Sequence, residues 1–410
     1  MTLRENNFKL KINIAVLVDW RMMRSMKNTL PLPPTKSKPI IGVVGLGTMG
    51  LGIVQVFLMA GFRVVATDGY APLVTTAPMR LAASLDARIA AGKLTSAVRN
   101  SALRRLRMVD SLAELLRASL VIEAIAEDLP AKCQLFAALE NVLAPSTVFA
   151  TNTSSLAVAD LAKGLFRPDR VLGMHFFNPA PAMKLVELVG HRGTADDALQ
   201  RARALLEDAG KVVIAAPDRP GFIVNRCARP FYGEALAMLE EGVSASDIDA
   251  SMLAAGYKIG PLSLIDLIGA DINLAATEAL FAAMQGHSRY HVFDTLRNHV
   301  ARGDLGVKTG RGFVYPAQIG PKPANATDIA LRIEAVLINE AGFLLAEGGL
   351  AQDSIDTAMR LGMNLPRGPF AALRSHGNNR ILAVLAALEA RAPKHLQGRY
   401  IPSAALTGHV

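Results

Sequence analysis

The strongest constraint on this chain is a short β-branched run that ends in a glycine turn and leads directly into an apolar helix. Ile40-Ile-Gly-Val-Val44 is followed by Gly45-Leu-Gly-Thr-Met-Gly50, an apolar stretch through Ala60, and then Phe62-Arg-Val-Val-Ala-Thr-Asp68. A run that is apolar at every position reads as a strand covered on both faces, so these segments form a βαβ unit. A lone GxGxxG is weak evidence, but here it leaves a strand, opens a helix and precedes an acidic residue at the end of the next strand. The glycines let the backbone approach a pyrophosphate, and the helix start offers free N–H groups and positive dipole. Asp68 is placed to accept from the adenosine ribose hydroxyls and to repel a 2′-phosphate, which favours NAD over NADP. Gly45, Leu46, Gly47, Thr48, Met49, Gly50 and Asp68 are therefore the candidate cofactor-binding set. Gly306-Val-Lys-Thr-Gly310 lacks the Gly-Lys pair of a phosphate-binding P-loop, so that alternative fails.

Three more apolar strands are predicted at Ser119 to Ala126, Thr147 to Ala150 and Arg170 to Met174, with helices between, notably Leu81 to Leu106 and Leu129 to Leu143. Alternating strands and helices predict an α/β, Rossmann-like, doubly wound parallel sheet. After about Asp218 the pattern becomes all-helical and repeats itself. Glu234-Ala-Leu-Ala-Met-Leu-Glu-Glu-Gly242 resembles Glu340-Ala-Gly-Phe-Leu-Leu-Ala-Glu-Gly348, and each copy continues into an Ile-Asp pair and a Gly-Pro pair. Measured between Asp249 and Asp356 the copies lie 107 residues apart, too long for a solenoid, so two tandem copies of one helical domain are expected. The resulting division is a basic tail at 1–38, a dinucleotide-binding domain at 39–218, helical domains at 219–318 and 324–395, and a second tail at 396–410.

Composition narrows the function. The chain has 410 residues, 51% hydrophobic and 19% charged, and its net charge is +9. Residues 1–39 hold eight basic and two acidic residues, so most of that charge belongs to the tail. No nucleic-acid motif accompanies it, and the small remaining excess suits an anionic substrate. No apolar run is long enough for a membrane helix. Cys133 and Cys227 lack disulfide-framework or metal-ligand spacing, which points to a reducing, cytoplasmic setting without a metal. The tail carries Trp20 and Pro31-Leu-Pro-Pro34 and shows no signal-cleavage pattern; it is expected to be poorly ordered or peripheral, with Met22, Met23 and Met26 as alternative starts.

Ligands of doubly wound sheets bind outside the carboxyl ends of the strands. Three polar clusters fall there: Glu127 with Asp128, Thr151-Asn-Thr-Ser-Ser155, and His175 with Asn178. After His175 comes Phe-Phe-Asn-Pro-Ala-Pro, then Met183-Lys-Leu-Val-Glu187-Leu-Val, whose alternation predicts a strand returning beside the one that ends in His175. Glu187 would then reach the imidazole, fix its tautomer and favour its protonated form, as a proton-accepting base requires.

With these motifs in order, the chain resembles the 3-hydroxyacyl-CoA dehydrogenase family from residue 39 to about 378. The most specific stretches are Glu123-Ala-Ile-Ala-Glu-Asp128, Thr151-Asn-Thr-Ser-Ser-Leu156, His175-Phe-Phe-Asn-Pro179, Pro220-Gly-Phe-Ile-Val-Asn-Arg226 and Lys308-Thr-Gly-Arg-Gly-Phe313. The resemblance implies NAD-dependent, reversible oxidation of (S)-3-hydroxyacyl-CoA, of short-chain or dicarboxyl type, in fatty-acid or aromatic-acid degradation. It implies His175 as catalytic base, Glu187 as its partner, Ser154 as a contact to substrate and nicotinamide, and Asn225 as a substrate-positioning group. Glu127, Lys132, Ser154, Asn178 and Lys308 match cofactor positions, and Ser84 and Lys93 are candidates for CoA. Family members commonly carry one helical copy and pair through it. Here a shift of 107 from Asn225 gives Arg332, so the second copy is expected to be architectural, packing on the first as a partner subunit would. Either a homodimer or a monomer with an internal pseudo-dimer follows. A same-fold enzyme for a free hydroxy acid, such as a sugar acid or carnitine, and a non-catalytic NAD-binding protein are the alternatives.

Overall fold

The computed structural model describes residues 38–408. The basic tail proposed for residues 1–38, with its expected disorder and alternative starts, lies outside the described residues except for Lys38.

The first βαβ unit forms as its sequence dictates: β1 (Ile40–Val44), α1 (Thr48–Met59) and β2 (Arg63–Thr67). Next come α2 (Ala71–Ala90), α3 (Ser96–Leu103), β3 (Leu106–Met108), β4 (Leu120–Glu123), α4 (Leu129–Val142), β5 (Val148–Thr151), α5 (Val158–Ala162) and β6 (Val171–Phe176). The half ends with β7 (Leu185–Gly190), α6 (Asp196–Asp208) and β8 (Val212–Pro217). The eight strands lie in the order β3-β2-β1-β4-β5-β6-β7-β8. The first six in chain order run parallel, β7 is antiparallel to β6, and β8 is parallel to β7. β7 is the strand expected to return beside β6, folded back by the Phe177–Lys184 turn, while β8, reached through the α6 crossover, adds an edge strand to the expected parallel sheet. The expected helix over Leu81 to Leu106 is corrected. It breaks at Gly92, where φ is +68°, and its end becomes the edge strand β3.

The strand order reverses between β1 and β4, which opens the crevice where such sheets bind ligands. One core covers the face of Ile41, Val43, Ile53, Phe57, Ile122 and Met174. The core on the other face runs without a break from Val44, Val121 and Phe149 through Phe222 and Phe231 into the helices beyond.

Those helices begin with α7 (Val224–Glu240), α8 (Ala245–Ala254), α9 (Pro261–Ile268), α10 (Ala270–Ala283) and α11 (Asp294–Ala301). The second copy follows as α12 (Ala326–Ala346), α13 (Gln352–Gly362), α14 (Pro369–His376), α15 (Asn378–Arg391) and α16 (Ala404–Thr407). Asp249 caps α9 through the Leu262 and Ser263 N–H groups, and Asp356 caps α14 through those of Phe370 and Ala371. The copies pack on each other about an approximate two-fold axis. Arg226 Nε bonds Glu340 at 2.7 Å, and Arg332 Nε bonds Glu234 at 2.7 Å. Arg289 and Tyr290 also donate to Glu340, as Arg399 and Tyr400 do to Glu234. This is the reciprocity of an isologous interface, written within one chain.

The dyad corrects two expectations. Across α7 and α12 the spacing is 106 residues (226 to 332, 234 to 340), so the counterpart of Asn225 is Leu331, and Arg332 corresponds to Arg226. Residues 396–408 are not a free tail: Leu396, Arg399, Tyr400, Ser403 and Leu406 are buried and complete the second copy. No described helix is long and apolar enough to cross a membrane.

Candidate active site

The glycine turn is built for a ligand. Gly45 has φ of +101°, and a Cβ there would lie 2.5 Å from the Ala124 backbone; a Cβ on Gly50 would lie 1.8 Å from the Gly45 carbonyl oxygen. These two glycines bring β1, α1 and the end of β4 together. At Gly47 a Cβ would meet nothing, and α1 starts there without a side-chain cap. That open approach to a bare helix N-terminus, with Asp68 just past the end of β2 held beside it, fits a dinucleotide pyrophosphate. Leu46, Thr48 and Met49 lie in the same turn. Asp68 Oδ2 accepts from the Leu46 N–H at 2.7 Å and Oδ1 from the Tyr70 N–H at 2.8 Å, which holds the carboxylate beside the turn. Arg80, which sequence reasoning missed, donates from Nη1 to the Leu46 carbonyl at 2.9 Å.

At the ends of β4 and β5 the polar clusters fold into one network. Lys132 is buried between Glu123, at 2.7 Å, and Glu127, at 3.1 Å. Glu127 Oε1 accepts from Thr153 Oγ1, from the backbone N–H groups of Ser154 and Ser155, and from Ser155 Oγ. Burial opposes the Glu127 charge, but the Thr153 hydrogen bond and the Lys132 charge outweigh it and hold the carboxyl below its usual range. Glu127 and Lys132 thus shape the loop that presents Ser154, with the Lys132 ammonium occupied by carboxylates. The Phe176 N–H donates to Asn152 Oδ1 at 2.9 Å, tying this loop to the end of β6.

His175 and Glu187 are direct partners in the β6–β7 register, and His175 Nδ1 lies 2.6 Å from Glu187 Oε2. Glu187 is fully buried, and its Oε1 accepts from the Ile223 and Val224 N–H groups at 3.0 and 2.9 Å. Phe177 and Phe222 flank the imidazole, with ring centroids 4.5 and 5.7 Å away. Nε2 of His175 has no partner among the described residues. Asn225, one residue beyond the Glu187 cap, donates from Nδ2 to the Ser154 carbonyl at 3.3 Å. His175, Glu187, Ser154 and Asn225 are therefore brought together at one sheet edge.

The remaining candidates divide. Asn178 lies exposed in the Phe177–Lys184 turn, preceding the cis Pro179. Lys211 braces that turn by donating to the Ala180 and Met183 carbonyls at 2.6 and 2.8 Å, and burial lowers its pKa to about 8. Lys308 pairs with Asp271 in the first helical copy. Ser84 Oγ is engaged by Gln55 at 2.9 Å, and the Lys93 side chain is exposed.

Residues 40–219 match the family described as 3-hydroxyacyl-CoA dehydrogenase, NAD binding domain, and residues 221–315 and 329–408 both match its C-terminal domain. A 3-hydroxyadipyl-CoA dehydrogenase of Escherichia coli (strain K12) is 34% identical over 443 residues, covering 85% of this chain and 93% of its own. A probable 3-hydroxybutyryl-CoA dehydrogenase of Bacillus subtilis (strain 168) is 39% identical, covering 67% of this chain and 96% of its own. The crystal structure of a 3-hydroxybutyryl-CoA dehydrogenase from Escherichia coli K12 superposes with a TM-score of 0.83 at 33% identity, covering 90% of this chain and 98% of that one.

Proposed function

The chain belongs to the 3-hydroxyacyl-CoA dehydrogenase family, and from that premise we propose how its own residues carry out NAD-dependent oxidation of an (S)-3-hydroxyacyl-CoA to the 3-oxoacyl-CoA. The observation that carries the reading is the buried His175–Glu187 pair, with Nε2 left free and Glu187 also capping the helix start next to Asn225, which in turn bonds the Ser154 carbonyl. Bound NAD supplies the hydride acceptor, held by the Gly45–Gly50 turn and Asp68. His175 Nε2 takes the proton of the 3-hydroxyl. Glu187 accepts the Nδ1 hydrogen throughout, so the imidazole keeps one tautomer and the developing positive charge faces a carboxylate. Ser154 and Asn225 orient the substrate, a contribution that accounts for much of such rate enhancements. Glu127, Lys132 and Asn178 serve the cofactor mainly by shaping the loops after β4, β5 and β6.

The helical copies support a monomer with an internal pseudo-dimer, since the reciprocal Arg–Glu face is already filled within the chain. A cytoplasmic location and short-chain acyl substrates complete the reading, as the relatives' names include 3-hydroxybutyryl-CoA and 3-hydroxyadipyl-CoA. The test is NADH absorbance with acetoacetyl-CoA and with free acetoacetate. Turnover of the thioester alone is expected, and equal rates with the free acid would favour the hydroxy-acid alternative.

A further inference from the structure

The first helical copy buries a guanidinium that has no acid to neutralise it. Arg229 is 8% exposed, and among the described residues no carboxylate forms an ion pair with it. The other buried arginines all have one: Arg226 with Glu340, Arg332 and Arg399 with Glu234, Arg170 with Glu140. Arg229 instead donates from Nε to the Asn225 carbonyl at 3.3 Å and from Nη1 to Thr277 Oγ1 at 3.1 Å and the Asn273 carbonyl at 3.4 Å. Its Nη2 makes no hydrogen bond and is not among the polar atoms sealed from solvent. Beside it Asn273, 2% exposed, has a side-chain amide without any hydrogen bond among the described residues, its Oδ1 sealed. Burial works against the Arg229 charge, and Tyr232, whose ring lies 4.9 Å from the guanidinium, offsets part of that.

A buried guanidinium that meets only neutral acceptors and the Tyr232 ring, with Nη2 left unused, is costly, and its persistence points to an anionic ligand. Position says which part of the ligand. Arg229 follows Asn225 by four residues, so both project from the same face of α7, about 6 Å apart along the axis. A substrate held at Asn225 with C3 at His175 needs only a few further carbons to reach Arg229. One guanidinium with a neighbouring amide donor matches one carboxylate.

We infer that Arg229, with Asn273, binds a carboxylate at the far end of the acyl chain, so that the substrate is an ω-carboxyl 3-hydroxyacyl-CoA. This rests on the function proposed above and specifies its substrate class. A site built to bind a charged group rejects the analogue that lacks it.

The test compares kcat/KM for 3-hydroxyadipyl-CoA with that for 3-hydroxyhexanoyl-CoA, which has the same chain length and no carboxylate. The unaltered protein is expected to prefer the dicarboxyl substrate by about 10–100-fold, the scale of a hydrogen bond to a charged group. Arg229→Met is expected to abolish that preference, and Arg229→Lys to keep part of it. Equal kcat/KM for the two thioesters in the unaltered protein would overturn the inference without any variant. So would a loss in Arg229→Met that falls equally on both, since the guanidinium would then serve the shared CoA portion or the fold. Turnover of neither thioester would overturn the underlying function instead.

Discussion

His175 and Glu187 stand directly opposite each other across the antiparallel β6–β7 pair, and their side chains meet at 2.6 Å. Register makes this contact, since a slip of one residue would turn Glu187 to the other face of the sheet. Its second oxygen caps the start of α7, so one carboxylate joins the imidazole to the helix that carries Asn225. Removing the ring should therefore affect chemistry far more than cofactor affinity. His175→Ala is expected to lower kcat by roughly 10²–10⁴-fold, the usual worth of general-base assistance. NAD affinity measured by titration calorimetry should stay close to that of the unaltered protein. Retained turnover would remove His175 from the mechanism.

Asp68 carries two duties that one substitution separates. It holds the Leu46 N–H, and hence the glycine turn, and it presents negative charge where a ribose would lie. Asp68→Asn keeps an acceptor for that N–H and removes the charge, whereas Asp68→Ala removes both. Both variants should gain activity with NADP relative to NAD, and Asp68→Ala should lose more affinity for NAD. Ratios of kcat/KM for the two cofactors decide this, and an unchanged ratio in both variants would free Asp68 of its part in cofactor choice.

Much of this site was legible because its signals are local. The glycine turn shows its purpose through neighbours in sequence, and the alternation around Glu187 predicts a returning strand twelve residues after His175. The edge strands were less legible. Leu106–Met108 is three residues long and flanked by Arg104 and Arg105, with no apolar run to mark it, and Val212–Pro217 is partly exposed. Polar partnerships between distant segments left no sequence signal at all. Lys132 reads as an ordinary helical lysine until Glu123 and Glu127 close on it, and the solitary state of Arg229 depends on what α10 places beside it. The repeat spacing went wrong by one residue at Asn225 because the loops lengthen along the copy: the offset is 106 at Arg226, 107 at Asp249 and 108 at Gly260.

Glu127 gives the site an acid limit whose sign follows from its contacts. Its folded pKa is depressed below the ordinary 4.5, so its charge contributes stability that is present above that pH and is lost as pH falls through the lower folded value. Glu127→Gln keeps an acceptor for Thr153 and the Ser154 N–H but has no proton to take up. The variant's melting temperature should fall less steeply than that of the unaltered protein as pH drops below 4.5. Parallel melting curves across that range would show that the Glu127 carboxylate makes no net contribution.

The pseudo-dyad makes a prediction about symmetry. Arg226 is sealed against Glu340 and also reaches Glu347, while Arg332 makes the corresponding contacts to Glu234 and Glu241. Removing Arg226 leaves Glu340 with Arg289 and Tyr290, and removing Arg332 leaves Glu234 with Arg399 and Tyr400, so each loss should cost less than the roughly 3–5 kcal/mol of a fully unpaired buried charge. Arg226→Met and Arg332→Met should therefore destabilise the fold by similar amounts in denaturant titrations. Activity at a temperature where both variants remain folded should separate them. Arg226 lies next to Asn225 and two residues past Val224, whose N–H holds Glu187, whereas Arg332 lies next to Leu331 in a copy without site residues. Arg226→Met is expected to lower kcat, and Arg332→Met to lower it less. A larger loss of kcat in Arg332→Met would place the active site's mechanical support in the second copy.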